Sequence, residues 1–229
     1  MPSYRIPGSL CASVFAPPDT GTSCLWQTAA PGSLCINELS SPETATQPPL
    51  RQWHYFSVAT GFPPSLLAVS PAGLDLIKGI EELHLLPYDD QTGKGISAWV
   101  KGATIGYGHL IAQADWASYK KGIAQAGADA LFDTDLAPFV QTVCDTITVG
   151  LQQYEFDALV ILAFNIGRDG FKNSSVARLV NDPRAVTGHA NLEAAWKAWN
   201  KSQGKVMKGL NNRRACEWNI YTSALYEHW

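Results

Sequence analysis

The chain has 229 residues, 46% of them hydrophobic, which suits one domain of ordinary size with a packed core plus an appendage. A formal net charge of −3 and a pI near 5.9 argue against a general nucleic-acid binder, whose affinity leans on a basic surface. No apolar run reaches the roughly 18 residues of a membrane span, and Pro7 and Gly8 interrupt the place where a signal peptide needs a continuous apolar segment.

Residues 1–68 hold ten of the fourteen prolines and only five charged residues, so they read as a Pro-rich N-terminal extension poor in helix. Trp26, Trp53, Tyr55, Phe56 and Phe62 are candidate anchors onto a neighbouring surface; a sugar- or wall-binding role and a packing or linker role both fit. The five cysteines, Cys11, Cys24, Cys35, Cys144 and Cys216, cannot all pair within one chain. One disulfide among the first three is open, their spacing does not suit zinc, and Cys144 and Cys216 read as buried or free thiols.

From Ser70 the pattern changes. Ser70 as N-cap and Pro71 at the first helical position open a helix through SPAGLDLIKGIEELHLL. It is expected to stop at Leu85, because Pro87 lacks an N–H and disfavours the helical conformation before it. The chain then turns and brings Asp89 or Asp90 back towards the helix. On a wheel of about 100° per residue with Leu76 at zero, Ile80, Ile77, Leu74 and Leu85 sweep from roughly 40° to roughly 180°. Glu81 falls near about 140°, inside this apolar arc, while Glu82 falls near about 240°, beside Asp75 and Lys78 on a solvated face. A carboxyl held against apolar surface has its charged form disfavoured, which makes Glu81 the candidate proton donor. An edge position with the head in water fits the same wheel.

Next, QTGKGISAWVKGATIGYGHLI is rich in glycine and β-formers and predicts a small sheet with hairpins. TIGYGH, residues 104–109, reads as one strand, with Thr104, Gly106 and Gly108 on one side and Ile105, Tyr107 and His109 on the other. Glycines there would admit a polymer close to the backbone. The remainder is mainly helical, and LQQYEFDALVILAFNIG, long and nearly all apolar, predicts a helix in the middle of the core. The class is α+β: helices around a central helix, with a small β-sheet lobe near the front.

Between Glu193 and Glu217 lie six basic residues, Lys197, Lys201, Lys205, Lys208, Arg213 and Arg214, and no acid. The lysines recur at helical spacing and would share one face. That is what a solvated face looks like, and equally what attraction to an anionic wall polymer or outer-membrane lipid requires. His54, His84, His189 and His228 form no ligand spacing such as HExxH, so no metal and no cofactor is expected.

A glutamate on a helix, an aspartate nine residues on after a turn, and Thr-Ile-Gly-Tyr-Gly-His on a following strand together resemble the phage-type lysozymes, the endolysin family related to the T4 enzyme. The likeness continues through QQYEFDALVILAFNIG, the SSV stretch at 174–176, the paired tryptophans of AAWKAWNKS and GLNNRRACEW, and covers residues 70–229 nearly end to end. It implies a lysozyme-like domain over 69–229 that hydrolyses the β-1,4 bond between N-acetylmuramic acid and N-acetylglucosamine in bacterial peptidoglycan.

By this resemblance Glu81 protonates the leaving oxygen, Asp90 holds or activates water and stabilises oxocarbenium-like charge, and Thr104 helps place that water. Tyr88, Tyr107, His109, Asn165, Arg213 and Arg214 are the substrate-binding candidates around them. His109 also reads as a hydrogen-bonded scaffold residue, core packing explains Asn165 nearly as well, and one of the two arginines is expected to pair with Glu81. Two departures from the family stand out: Glu82 where it usually has glycine, and an insertion around KGISAWVKG. Trp99 on that insertion would stack on a sugar or cap the sheet. The implied setting is a monomer made in the cytoplasm and delivered to the periplasm or wall by a holin or a secretion apparatus, as a phage endolysin or an antibacterial effector. The rival readings are a lytic transglycosylase and a catalytically idle wall-binding module.

Overall fold

The structure, a computed structural model, describes the strand segments 25–30, 33–37 and 53–57 and residues 61–228. The suggested disulfide among Cys11, Cys24 and Cys35 and the anchoring by Trp26, Trp53, Tyr55 and Phe56 lie outside the described residues. Within the N-terminal region β1 (Leu25–Ala30), β2 (Ser33–Asn37) and β3 (Trp53–Ser57) form an antiparallel sheet in the order β1-β2-β3. At Phe62 the chain is stitched to Leu151 by paired backbone bonds of 2.8 and 2.9 Å.

Helix α1 (Pro71–Ile80) begins as expected, with the Ser70 hydroxyl accepting the Gly73 N–H at 3.1 Å and Pro71 at its start. Its end differs from expectation. The helix stops at Ile80, five residues short of Leu85; Glu81 is its C-cap, and Glu82 takes a left-handed φ of 39° that turns the chain out. Pro87 therefore does not terminate the helix. It sits inside β4 (His84–Asp89), which runs between β5 (Lys94–Gly95) and β6 (Ala103–Gly106). A proline is tolerated in this interior strand because the pairing with β6 is irregular between His84 and Tyr88, and the Pro87 carbonyl still accepts Ile96 N–H at 3.0 Å.

TIGYGH is not one strand. β6 ends at Gly106, Tyr107 and Gly108 form a turn, and β7 (His109–Leu110) folds back so that Ile105 pairs with His109. Gly106 and Gly108 have φ of 68° and 93°, so these glycines serve the turn, where a side chain would be strained. The sheet's own core is small: Ala103, Ile105 and Ile111 are buried, with Trp99 packed beside them and its indole N–H donating to Ile111 O at 2.9 Å. Trp99 thus caps the sheet.

A short α2 (Trp116–Tyr119) leads into α3 (Gln125–Thr146), whose 22 residues span about 33 Å and touch both the sheet and the helical body. The central helix is α4 (Gln153–Ile166): every residue from Phe156 to Ala163 is buried. Its start is closed by a capping box, with Gln152 N–H donating to Glu155 at 2.7 Å. Around it pack α1, α3, α5 (Arg168–Lys172) and α8 (Lys208–Ser223); α6 (Ser175–Asn181) and α7 (Leu192–Lys197) complete the body.

Lys201 and Lys205 do not continue the helix that holds Lys197, and Lys208 opens α8 instead. β8 (Lys201–Ser202) and β9 (Lys205–Val206) form a hairpin closed by Gln203 and Gly204, with φ of 50° and 76°. Two successive positive φ values make the tight turn that suits a two-residue hairpin, and this overrides the helix-like lysine spacing.

Candidate active site

The site forms where the end of α1 meets the sheet. Glu81, placed by the last turn of α1 through its N–H on Ile77 O at 3.1 Å, has a side chain 29% exposed. Its carboxylate faces Arg213 Nη1 of α8 at 3.6 Å. The wheel expected apolar surroundings for this group. It sits instead beyond the helix proper, with a guanidinium as its neighbour, because the chain leaves the wheel at Ile80. Glu82 points into solvent, 3.8 Å from His84.

Asp89 ends β4 and Asp90 begins the turn that follows. Asp89 accepts Gln91 N–H at 3.1 Å and the Thr92 hydroxyl at 2.9 Å, so both of its oxygens are used locally. Asp90 is exposed, and only its backbone is fixed, its N–H donating to Gly102 O at 3.0 Å. The same Gly102 carbonyl accepts the Thr104 hydroxyl at 2.9 Å. Thr104 is 3% exposed, and with its hydrogen committed its oxygen is left as an acceptor.

Tyr88 pairs across the sheet with Thr104, and its ring lies tilted by 35° against that of His84 with centroids 4.2 Å apart. Burial pushes its phenol above the ordinary tyrosine value, and the charges of Asp90, Glu81 and Glu82 push the same way. The two candidate carboxylates therefore both lie within electrostatic reach of one ring. A depression of about 310 Å³ runs along this strand, lined by Leu83 to Tyr88 with Gly93 and Gly95. A larger one, about 470 Å³, lies between α6, α7 and α8 and contains none of the expected site residues.

The remaining candidates divide by surroundings. Tyr107 packs edge-on against Phe132 at 5.5 Å with Lys78 Nζ 5.4 Å above its ring, so most of its contacts are internal. His109 Nδ1 meets Asp135 of α3 at 2.9 Å, which is the scaffold arrangement. Asn165 is exposed and its carbonyl accepts Arg214 Nη2 at 2.8 Å. Arg213 and Arg214, adjacent on a helix, point in different directions: Arg213 towards Glu81, Arg214 into the core.

Behind Glu81 stands a buried network that the sequence did not reveal. Glu217, fully buried, accepts Arg214 Nη2 at 2.6 Å, Arg213 Nε at 3.4 Å and the Trp196 indole N–H at 2.9 Å. Burial pushes the Glu217 carboxyl up while Arg214 and then Arg213 pull it down. Arg213 thus links Glu81 to an anchor in the core. The i, i+3 and i, i+4 spacing of Arg214 and Arg213 to Glu217 was the available signal, but such pairs normally lie on the surface.

An α+β body of this kind, with a carboxylate at a helix end facing a small glycine-rich sheet, is a lysozyme-type architecture. The phage lysozyme family model matches residues 78–217, and the chain belongs to the phage lysozyme family. Among curated proteins it is 36% identical to an endolysin of Bacillus phage PZA over 69% of this chain and 56% of that protein. It is 31% identical to an endolysin of Acyrthosiphon pisum secondary endosymbiont phage 1 over 68% of this chain and 99% of that one. The chain spans about half the length of the Bacillus phage relatives, 56% and 53%. Among solved structures it resembles the endolysin from Escherichia coli O157:H7 phage FAHEc1, with a TM-score of 0.55 and 30% identity over 70% of this chain and 97% of that one. The muramidase domain of SpmX from Asticaccaulis excentricus gives a TM-score of 0.53 and 33% identity over 68% and 98%. Among the described residues no helix is long and apolar enough to cross a membrane.

Proposed function

We propose that residues 69–229 form a peptidoglycan glycosidase that hydrolyses the β-1,4 bond between N-acetylmuramic acid and N-acetylglucosamine, with residues 1–68 as an extension. The observation that carries this reading is the placement of Glu81 beside Arg213, with the Asp90 amide and the Thr104 hydroxyl both on the Gly102 carbonyl. Glu81 donates a proton to the leaving glycosidic oxygen, and Arg213, itself tied to Glu217, keeps its carboxyl at that position. Asp90, on the exposed side, accepts a proton from the attacking water and balances the positive charge that develops on the sugar ring. The acceptor oxygen of Thr104 steadies that water. Tyr88 and Asn165 shape the cleft, with Tyr107 and His109 supporting the turn beneath. A water delivered from the face opposite the leaving group inverts the anomeric centre.

Muropeptide analysis of digested wall tests the bond and the product together. The expected product is a reducing N-acetylmuramic acid end formed with inversion; a 1,6-anhydro end would mean a transglycosylase, and binding without release of fragments an idle module. Glu81→Gln is expected to lower the rate by at least about 100-fold and Glu82→Gln to leave most of it. Near-normal lysis by the first variant would remove Glu81 from its role.

The same proposal places the action at the bacterial wall, reached through a holin pore or a secretion apparatus. The exposed hairpin bearing Lys201 and Lys205, followed by Lys208, supplies positive charge for an anionic wall or outer-membrane surface. Lys201→Glu with Lys205→Glu is expected to weaken wall association at low ionic strength and to leave it unchanged at about 1 M salt, where charges are screened within about 3 Å. Identical salt profiles for variant and parent would contradict this.

A further inference from the structure

We propose that Asp157 is a positioning residue for the proton donor: it fixes the start of α1 and, through that helix, the place of Glu81 at its end. The proposal rests on the reading of Glu81 as the donor.

Asp157 stands in the most apolar stretch of α4 and is fully buried. Its carboxylate accepts four hydrogen bonds. Oδ1 takes Ser70 N–H at 2.9 Å and Gln153 Nε2 at 3.0 Å; Oδ2 takes the Ser70 hydroxyl and the Tyr226 hydroxyl, each at 2.5 Å. Burial pushes the Asp157 carboxyl up, and the bonds from Ser70, Tyr226 and Gln153 pull it back. An ionisable side chain in a core carries a desolvation penalty that an apolar one avoids. Here its donors are the N-cap of α1 and a tyrosine from the segment after α8, so the group joins three parts of the chain.

Two glycines show how closely α1 is held. A Cβ at Gly73, in the first turn, would lie 3.1 Å from Asp157 Cγ and 2.9 Å from Val69 Cγ1. A Cβ at Gly79, in the last turn, would lie 2.5 Å from His228 Cε1. Glycine is unfavourable inside a helix, and both interior glycines of α1 serve a close approach. The segment that supplies Tyr226 and His228 is itself tied to α8, where the Cys216 thiol donates to Glu227 O at 2.7 Å. α1 is therefore gripped at Ser70 by Asp157, along Gly79 by His228, and beyond its end, at Glu81, by Arg213. A short helix moves as a rod, so a shift at Ser70 reappears at Glu81, where misplacement by about 1 Å is enough to cost about 100-fold in rate.

The test compares kcat and KM on soluble peptidoglycan fragments for the full chain and for Asp157→Leu, Asp157→Asn and Tyr226→Phe. Leu179→Ala, a buried position on α6, serves as a control for loss of stability alone. Asp157→Leu is expected to lower kcat about 10- to 100-fold with KM within about twofold. Asp157→Asn is expected to recover part of that loss, since its carbonyl still accepts from Ser70 and Gln153, and Tyr226→Phe to show a smaller drop. The control should keep its kcat wherever it is folded.

Parental kcat in folded Asp157→Leu overturns the proposal, as does an equal kcat loss in the control at matched Tm. If Asp157→Leu does not fold, parental kcat in both Asp157→Asn and Tyr226→Phe overturns it. Glu81→Gln, run alongside, separates the two readings. An inactive Glu81→Gln with unimpaired Asp157 variants refutes positioning alone, whereas an active Glu81→Gln refutes the donor assignment itself.

Discussion

The helical body and the sheet lobe hold the two candidate carboxylates in different ways. On the helical side Glu81 is reached through Arg213 by a network that ends in fully buried Glu217 and Trp196, next to a core that takes in all of Phe156 to Ala163. On the sheet side Asp90 is exposed, fixed only through its backbone, over a core of Ala103, Ile105 and Ile111. The lobes are joined by α3, through Lys78 on Asp129 at 2.7 Å and His109 on Asp135 at 2.9 Å. The difference suits the proposed roles: a proton donor must meet one oxygen and has the firmer mount, whereas a carboxylate that works through water and charge can act from a looser one.

The largest expected effect sits on the rigid side. Glu217→Ala would leave Arg214 buried with only Asn165 and the Trp199 carbonyl as hydrogen-bond partners, and should cost about 3–5 kcal/mol in chemical denaturation. A loss below about 1 kcal/mol would mean that the network is not the anchor described above. Ile105→Ala comes next, at about 2–4 kcal/mol. Hydrogen exchange should quicken in β4 and β6 while the α4 amides stay protected; equal acceleration in both would show that the lobes open as one unit and erase the contrast. Smallest is Glu82→Gly at the junction, where relief of the positive φ outweighs the added freedom of the unfolded chain by up to about 1 kcal/mol. A lower Tm for this variant would show that the Glu82 backbone carries no strain.

Much of this was legible in the residues. Ser70 and Pro71 announced α1, and the apolar run around Phe156 announced the central helix, because caps and long periodic segments depend on neighbours in sequence. The errors arose where one residue served a purpose that pattern alone does not display. Pro87 looked like a helix breaker, but Glu82 had already turned the chain, and an irregular pairing accommodated the ring. Gly106 and Gly108 looked like room for a ligand and proved to be turn residues. The lysines at 201 and 205 kept a helical period through a hairpin whose signal was Gln203-Gly204. In the site, the family resemblance pointed to Glu81, Asp90 and Thr104, but it did not distinguish Arg213 from Arg214 as the partner of Glu81. That choice depends on how α8 is rotated against α4, a property of the packed molecule.

One carbonyl, that of Gly102, receives both the Asp90 amide and the Thr104 hydroxyl. The shared acceptor ties the backbone of the turn after β4 to the side chain of a residue in strand β6. A change that displaces the Gly102 carbonyl would therefore disturb both mounts at once, while the Asp90 carboxylate keeps the freedom of its own side chain.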